Sequence, residues 1–266
     1  MKRDATNGVI VFRNLTKRYG ELEAVRGVSL EVPRGQICGY LGPNGAGKTT
    51  TLKMATGMLE PTSGTALIEG HDILEAPLEA KRRIGVVPET GALYENLTPR
   101  EYLTLVGRLY HLGEHEVAKK IDSFLGLFGI DDVANRIMTS FSRGMRQKVL
   151  ISGALMHNPS VLFLDEPLSG LDANTALVLK ELLRDLASQG KTVFYCSHIL
   201  EVVEKICDRV VILNRGEIVA DGAVEELKDL THRATLEEVF SGLTSTGDLP
   251  EIVRAFSASV RGEEEE

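Results

Sequence analysis

Apolar positions along this chain fall into two kinds of pattern. Short continuous runs at 9–12, 28–32, 36–41, 65–68 and 84–87 have the length of strands. Turn residues separate them: Pro33-Arg34-Gly35, Pro61-Thr62-Ser63-Gly64 and Gly70-His71-Asp72. Residues 49–59 read as a helix. From about 89 to 158 the pattern turns helical. Thr98-Pro99-Arg100-Glu101 is a capping box with proline at the first helical position, opening a helix to about 110. Tyr102, Leu105, Val106 and Leu109 make its predicted inner face. A second amphipathic helix, 114–128, carries Val117, Ile121, Phe124 and Leu125 on its stripe. Helical pattern continues to Asn158-Pro159.

Strand-like runs then return at 161–164, 192–196, 210–213 and 217–220. Between them lie a helix at 173–189, capped by Asp172 and stopped at Gly190, and another at 199–207. Thr235-Leu236-Glu237-Glu238 reads as one more helix start, and little structure is indicated after Gly247. There is no internal repeat. Strand alternating with helix predicts an α/β fold, with a largely parallel sheet covered on both faces and a mainly helical insertion.

One segment between a strand and a helix carries chemistry. Gly42-Pro43-Asn44-Gly45-Ala46-Gly47-Lys48-Thr49 fits the phosphate-loop pattern G-x-x-x-x-G-K-[ST]. Its glycines let the backbone turn so that successive N–H groups face one concave nest. Lys48 can reach terminal phosphates, the Thr49 hydroxyl can ligate magnesium, and the helix that follows adds its positive dipole end. A second constellation is the apolar run Val161-Leu162-Phe163-Leu164 ending in Asp165-Glu166. Ligands of open α/β sheets bind at such strand ends. There Asp165 can hold magnesium and Glu166 can orient or deprotonate a water.

Composition narrows the class. The chain has 266 residues, with 43% hydrophobic and 26% charged, as in ordinary globular proteins. No apolar run approaches the ~18 residues of a membrane span, and Met1-Lys2-Arg3-Asp4-Ala5 lacks the apolar segment of a signal peptide. Cys38, Cys196 and Cys207 are odd in number and lack metal-type spacing, so they read as buried thiols of a reducing compartment. A net charge of −8 argues against nucleic acid as the partner, and half of it lies in Glu263-Glu264-Glu265-Glu266, read as a solvated end.

Taken in order, the motifs resemble those of the ATP-binding cassette ATPases. After the phosphate loop comes Phe141-Ser142-Arg143-Gly144-Met145-Arg146-Gln147-Lys148, similar to the family signature usually read leucine-serine-glycine-glycine-glutamine. The Asp-Glu strand follows, then Ser169-Gly170-Leu171-Asp172, which resembles the D-loop that contacts a second subunit. His198, in Cys196-Ser197-His198, matches the switch histidine, and Tyr19 matches the aromatic that stacks on adenine. The resemblance covers about residues 8–223. The phosphate loop is shared by many unrelated families; the signature between it and the Asp-Glu strand is what discriminates.

The resemblance implies a P-loop NTPase (RecA-like) core from 8–88 and 159–223, with an N-terminal antiparallel β subdomain. It implies a helical signature subdomain at 89–158 and a C-terminal helical or flexible tail at 224–266. ATP is expected on Tyr19 and on Gly42, Pro43, Asn44, Gly45, Ala46, Gly47, Lys48, Thr49, Thr50 and Glu89. Thr49, Glu89 and Asp165 are expected to hold Mg2+. Glu166 is expected as general base, with His198 and Lys48 on the γ-phosphate. Ser142, Arg143, Gly144 and Met145 are expected to act on ATP held by another copy of the chain, or by a related subunit. The implied partner is a separate polytopic permease docking near 89–97, with the ATPase on the cytoplasmic face of the membrane, powering export.

Two departures from the family pattern stand out. Glu89 occupies the usual glutamine position after the 84–87 strand; it can bind a cation through oxygen but donates no hydrogen bond when ionised. Arg143 and Met145 replace a common glycine and glutamine, as in cassettes serving exporters with a separately encoded permease; Arg143 is expected to face solvent. Two other readings share the phosphate loop. A non-transport cassette ATPase of translation or DNA repair usually has two cassettes or a long coiled coil, which this sequence lacks. A small-molecule kinase leaves the signature segment unexplained.

Overall fold

The computed structural model describes residues 8–89, 93–231, 233 and 235–244. In chain order the strands and helices are β1 (Gly8–Tyr19), β2 (Leu22–Pro33), β3 (Ile37–Leu41), α1 (Lys48–Ala55), β4 (Ser63–Ile68), β5 (His71–Asp72), α2 (Pro77–Lys81) and β6 (Ile84–Val87). There follow α3 (Pro99–Leu109), α4 (Glu114–Leu127), α5 (Arg143–Leu155), β7 (Val161–Asp165), α6 (Ala173–Ser188), β8 (Thr192–Cys196) and α7 (Leu200–Ile206). The last are β9 (Arg209–Asn214), β10 (Glu217–Gly222), α8 (Val224–Thr231) and α9 (Leu236–Thr244).

Two sheets form. One is antiparallel, ordered β2-β1-β4-β5; the other has six strands, ordered β10-β9-β3-β8-β7-β6. The pairings β9-β3-β8-β7-β6 are parallel, and β10 joins β9 antiparallel. Strands β3, β7 and β8 are buried along their whole length. Their alternate residues serve two cores. Cys38, Tyr40, Phe163, Phe194 and Cys196 face the antiparallel sheet and α1. Ile37, Leu41, Leu164 and Tyr195 face the helical side. This two-sided burial is why the sequence shows continuous apolar runs there. Phe194 is the hub between the sheets, with ring centroids 4.9 Å from Tyr40, 5.4 Å from Phe163 and 5.8 Å from Phe12.

Several expectations are sharpened. The first strand runs on to Tyr19 despite the polar stretch after Phe12. Irregular register and a left-handed Asn14 (φ 48°) let Arg13, Lys17 and Arg18 stay on the strand while breaking its alternation. The predicted helix at 49–59 stops at Ala55, where Thr56 Oγ1 donates to Leu52 O and Gly57 takes φ 66°. Thr98 and Glu101 form the predicted capping box. The inner face of α3 differs, however: Pro99, Leu103 and Gly107 are buried, while Leu105 and Leu109 are 38% and 68% exposed. The cause is a close helix crossing. A side-chain carbon on Gly107 would lie 2.5 Å from Val117 Cγ2, so the smallest residue marks the contact. The reading after Gly247 and the acidic terminus lie outside the described residues.

Candidate functional site

The phosphate loop links β3 to α1. Gly45 and Gly47 adopt φ 79° and 109°, and Gly47 caps α1 with no side chain in the way. A Cβ on Gly47 would lie 2.5 Å from Ala24 O, and one on Gly42 would lie 2.5 Å from Leu213 O. Two of the motif's glycines are therefore fixed by packing against β2 and β9. The Lys48 ammonium donates to the carbonyls of Gly42 and Pro43 at 2.7 and 3.1 Å, which curls it over the loop.

Three parallel strands deliver the remaining groups to the same end of the sheet. A cavity of about 740 Å³ opens there. Its walls include Gly42, Pro43, Asn44, Gly45, Gly47, Lys48, Thr49 and Thr50, then Glu89, Asp165, Glu166 and His198, and Tyr19 at the far side. Ala46 lies beneath, 3% exposed. Tyr19 is half exposed, with Lys17 Nζ 5.4 Å from its ring centre.

Thr49 Oγ1 donates to Asp165 Oδ2 at 3.0 Å. Asp165 is 2% exposed. Burial pushes its carboxyl above the ordinary range; the Thr49 hydrogen bond opposes this, Glu89 and Glu166 reinforce it and Lys48 counters it. A hydroxyl and a carboxylate, with further oxygens nearby, form a hard donor set of the kind Mg2+ takes while sharing phosphates and water. Among the described residues no three His, Cys, Asp or Glu side chains converge as a metal cage. Glu89 lies on the cavity wall.

Glu166 has the most constrained side chain at the site. Ser197 Oγ donates to its Oε2 at 3.0 Å, and the His198 amide donates to Oε1 at 2.8 Å. His198 Nδ1 lies 2.6 Å from the same Oε1. The backbone at Glu166 is left-handed (φ 50°), a conformation that costs a non-glycine residue about 1–3 kcal/mol. Its amide nevertheless bonds to Cys196 O at 3.0 Å, so β8 holds both ends of the residue. Ser197, 1% exposed, was not singled out in the sequence. Its only signal is its place between the strand-end cysteine and His198.

The signature residues lie elsewhere. Ser142 caps α5, accepting from the Met145 amide at 3.2 Å. Ser142 and Arg143 are exposed, and none of Ser142, Arg143, Gly144 and Met145 lines the 740 Å³ cavity. Arg143 and Gly144 pack instead on the segment after Glu166. A Cβ on Gly144 would come 2.3 Å from Gly170 O, and the Arg143 stem lies against Gly170. Gln147 Nε2 donates to Pro167 O at 3.0 Å, and Lys148 pairs with Asp172 at 3.3 Å. Ser169 donates its amide to Glu166 O, and Leu171 donates to Leu168 O. Hydrogen bonds from Thr175 hold the Asp172 carboxyl well below its usual range and cap α6. The first turn of α5 and residues 167–172 are thus one packed unit, and its chain enters directly from Glu166.

A phosphate loop on this doubly covered parallel sheet, facing two strand-end carboxylates, defines a P-loop ATPase. A family model described as ABC transporter matches residues 25–169, more than half of the chain. The chain belongs to the ABC transporter family, as one of its ATP-binding, ATP-hydrolysing cassettes. It is 42% identical over 238 residues to the ABC transporter ATP-binding protein NatA of Bacillus subtilis (strain 168), covering 87% of this chain and 96% of that one. It is 34% identical over 232 residues to the Nod factor export ATP-binding protein I of Cupriavidus metallidurans, covering 87% and 77%. A dimeric ATP-binding cassette in a post-hydrolysis state, bound to ADP and Pi, superposes with a TM-score of 0.75 at 27% identity, over 80% of this chain and 98% of that one.

Proposed function

We propose that this cassette powers export through a separate membrane permease, closing as a pair of ATPase subunits around ATP and reopening after hydrolysis. One observation carries the reading. The cavity that holds the phosphate loop gathers Asp165, Glu166, His198 and Tyr19, while the signature residues sit outside it on an exposed helix start. Half of an active site faces inward and the other half faces out.

In this reading Tyr19 stacks on the base, and residues 42–50 wrap the phosphates with backbone N–H groups. Lys48 swings from its carbonyls to the terminal phosphates. Thr49 and Asp165, with Glu89 on the wall, would hold Mg2+, which when bound would neutralise charge on the phosphates. Glu166 Oε accepts a proton from a water as that water's oxygen attacks the γ-phosphorus and the bond to ADP breaks. Ser197 and the His198 amide keep Glu166 aimed, and the His198 ring, 67% exposed, can turn to the phosphate. Ser142 and the amides at the start of α5 meet the γ-phosphate of the second copy. The division into a core at 8–88 and 159–223, a helical part at 89–158 and a C-terminal part at 224–266 follows from these roles.

No helix among the described residues is long and apolar enough to cross a membrane; in this reading a partner permease supplies the pathway, and the cassette sits on the cytoplasmic face. The docking place proposed is a groove of about 320 Å³ walled by Met58, Tyr102, Val106, Tyr110 and His157; none of the described residues of the expected stretch 89–97 lines it. Export is proposed from the similarity to the Nod factor export ATP-binding protein. The test is phosphate release from the purified chain with MgATP and no acceptor. Steady release, lost in Lys48→Ala together with ATP affinity, is expected. Unchanged ATP affinity in Lys48→Ala overturns the reading.

A further inference from the structure

We propose that Phe240, on α9, is a base-side wall of the nucleotide site, so that the C-terminal helix takes part in ATP recognition. This rests on the ATP site proposed above. Only three large apolar side chains line the described cavity: Tyr19, Leu22 and Phe240. Tyr19 and Leu22 flank the turn between β1 and β2, whereas Phe240 arrives from the far end of the chain. A nucleoside triphosphate has a polar end and an apolar-faced end. Residues 42–50 and the carboxylates suit the first, and the three apolar side chains suit the second.

The setting of Phe240 supports a ligand-facing role. Leu236 and Val239 of the same helix are 0% and 1% exposed, seated on the helical side of the core. Phe240 stands at the rim of that stripe and is only partly buried, unlike Phe12, Phe163 and Phe194, at 0–1% exposure. The helix is also anchored beside the phosphate loop. Asn214 Nδ2 donates to Leu243 O at 3.1 Å, and the preceding carbonyl, Leu213 O, is the atom against which Gly42 packs. Consecutive residues of β9 thus brace the phosphate loop and hold α9, fixing Phe240 relative to the phosphates.

Full-length chains carrying Phe240→Ala, Phe240→Tyr and Lys48→Ala test this. ATP affinity is measured by direct titration, and affinity for tripolyphosphate, which has no base, is measured in parallel. Phe240→Ala is expected to weaken ATP about five- to tenfold, the low end for one aromatic–base stack, with tripolyphosphate unchanged. Phe240→Tyr is expected to restore ATP affinity. Equal weakening of ATP and tripolyphosphate would mean that Phe240 only supports the fold of the site, and overturns the proposal. Unaltered ATP affinity in Phe240→Ala overturns it too, while the ATP site stands if Lys48→Ala loses ATP. A wild-type chain that binds no ATP removes both.

Discussion

In the proposed function, the sheet end and the start of α5 are two halves of one chemistry, and the structure builds them on opposite principles. At the sheet end, Asp165 is 2% exposed and Glu166 is held by three donors from one neighbouring loop. Parallel strands fix these groups from beneath, so they are positioned before any substrate arrives. At the start of α5, Ser142 and Arg143 face outward, and the Arg143 stem lies against Gly170 in the segment that follows Glu166. That half is rigid internally but gains a task only against another surface. The difference teaches where regulation would act under the proposed function: the buried half would set the chemistry, and the exposed half would report whether a second copy has arrived. The short path from Glu166 to Gly170 and Gly144 joins the two within one chain.

Breaking the buried half gives the largest effect. Glu166→Gln keeps the shape but removes the proton acceptor, and kcat is expected to fall about 10²–10⁴-fold with ATP affinity intact. Steady-state phosphate release checks this; near-normal turnover would remove Glu166 as base. Breaking the join comes next. Gly144→Ala places a carbon 2.3 Å from Gly170 O, so α5 and the 167–172 segment must part. Hydrolysis is expected to drop about 10–100-fold, while the isolated chain binds ATP as before. An unchanged rate would show that the packed unit does not matter.

The smallest effect lies away from both halves, in the groove. The His157 ring stacks on Tyr110 at 3.6 Å and its Nε2 meets Ile84 O at 3.0 Å. Burial lowers its pKa to about 4, and Lys120 and Lys191 add to that, against the Ile84 carbonyl. The unfolded chain therefore binds a proton near pH 6.5 that the folded chain refuses until about pH 4. Stability supplied by neutral His157 is complete above about pH 6.5 and falls as pH drops toward 4. In the His157→Phe variant, melting temperature is expected to fall less steeply across that window than in the wild type. Parallel profiles would contradict it.

Legibility in the sequence followed the same divide. Buried strands announced themselves as apolar runs, and β6 and β8 have the predicted ends because both faces are covered. The phosphate loop was legible because its glycines answer to backbone conformation alone. The stretch from Asn14 to Tyr19 was not, since its irregular register breaks the alternation that marks a strand. Gly107 hid the inner face of α3, because close approach selects absence of a side chain, which a search for large apolar residues passes over. Ser197 and Phe240 became visible only through the neighbours that folding gave them.

The central claim is that the exposed signature completes an active site in another copy of the chain. Size-exclusion chromatography of Glu166→Gln, with and without ATP, tests it beside the double variant Glu166→Gln with Ser142→Arg. The account predicts an ATP-dependent dimer for the first, and for the second a monomer that still binds ATP. A Glu166→Gln chain that stays monomeric at saturating ATP, or a double variant that dimerises equally well, would contradict it.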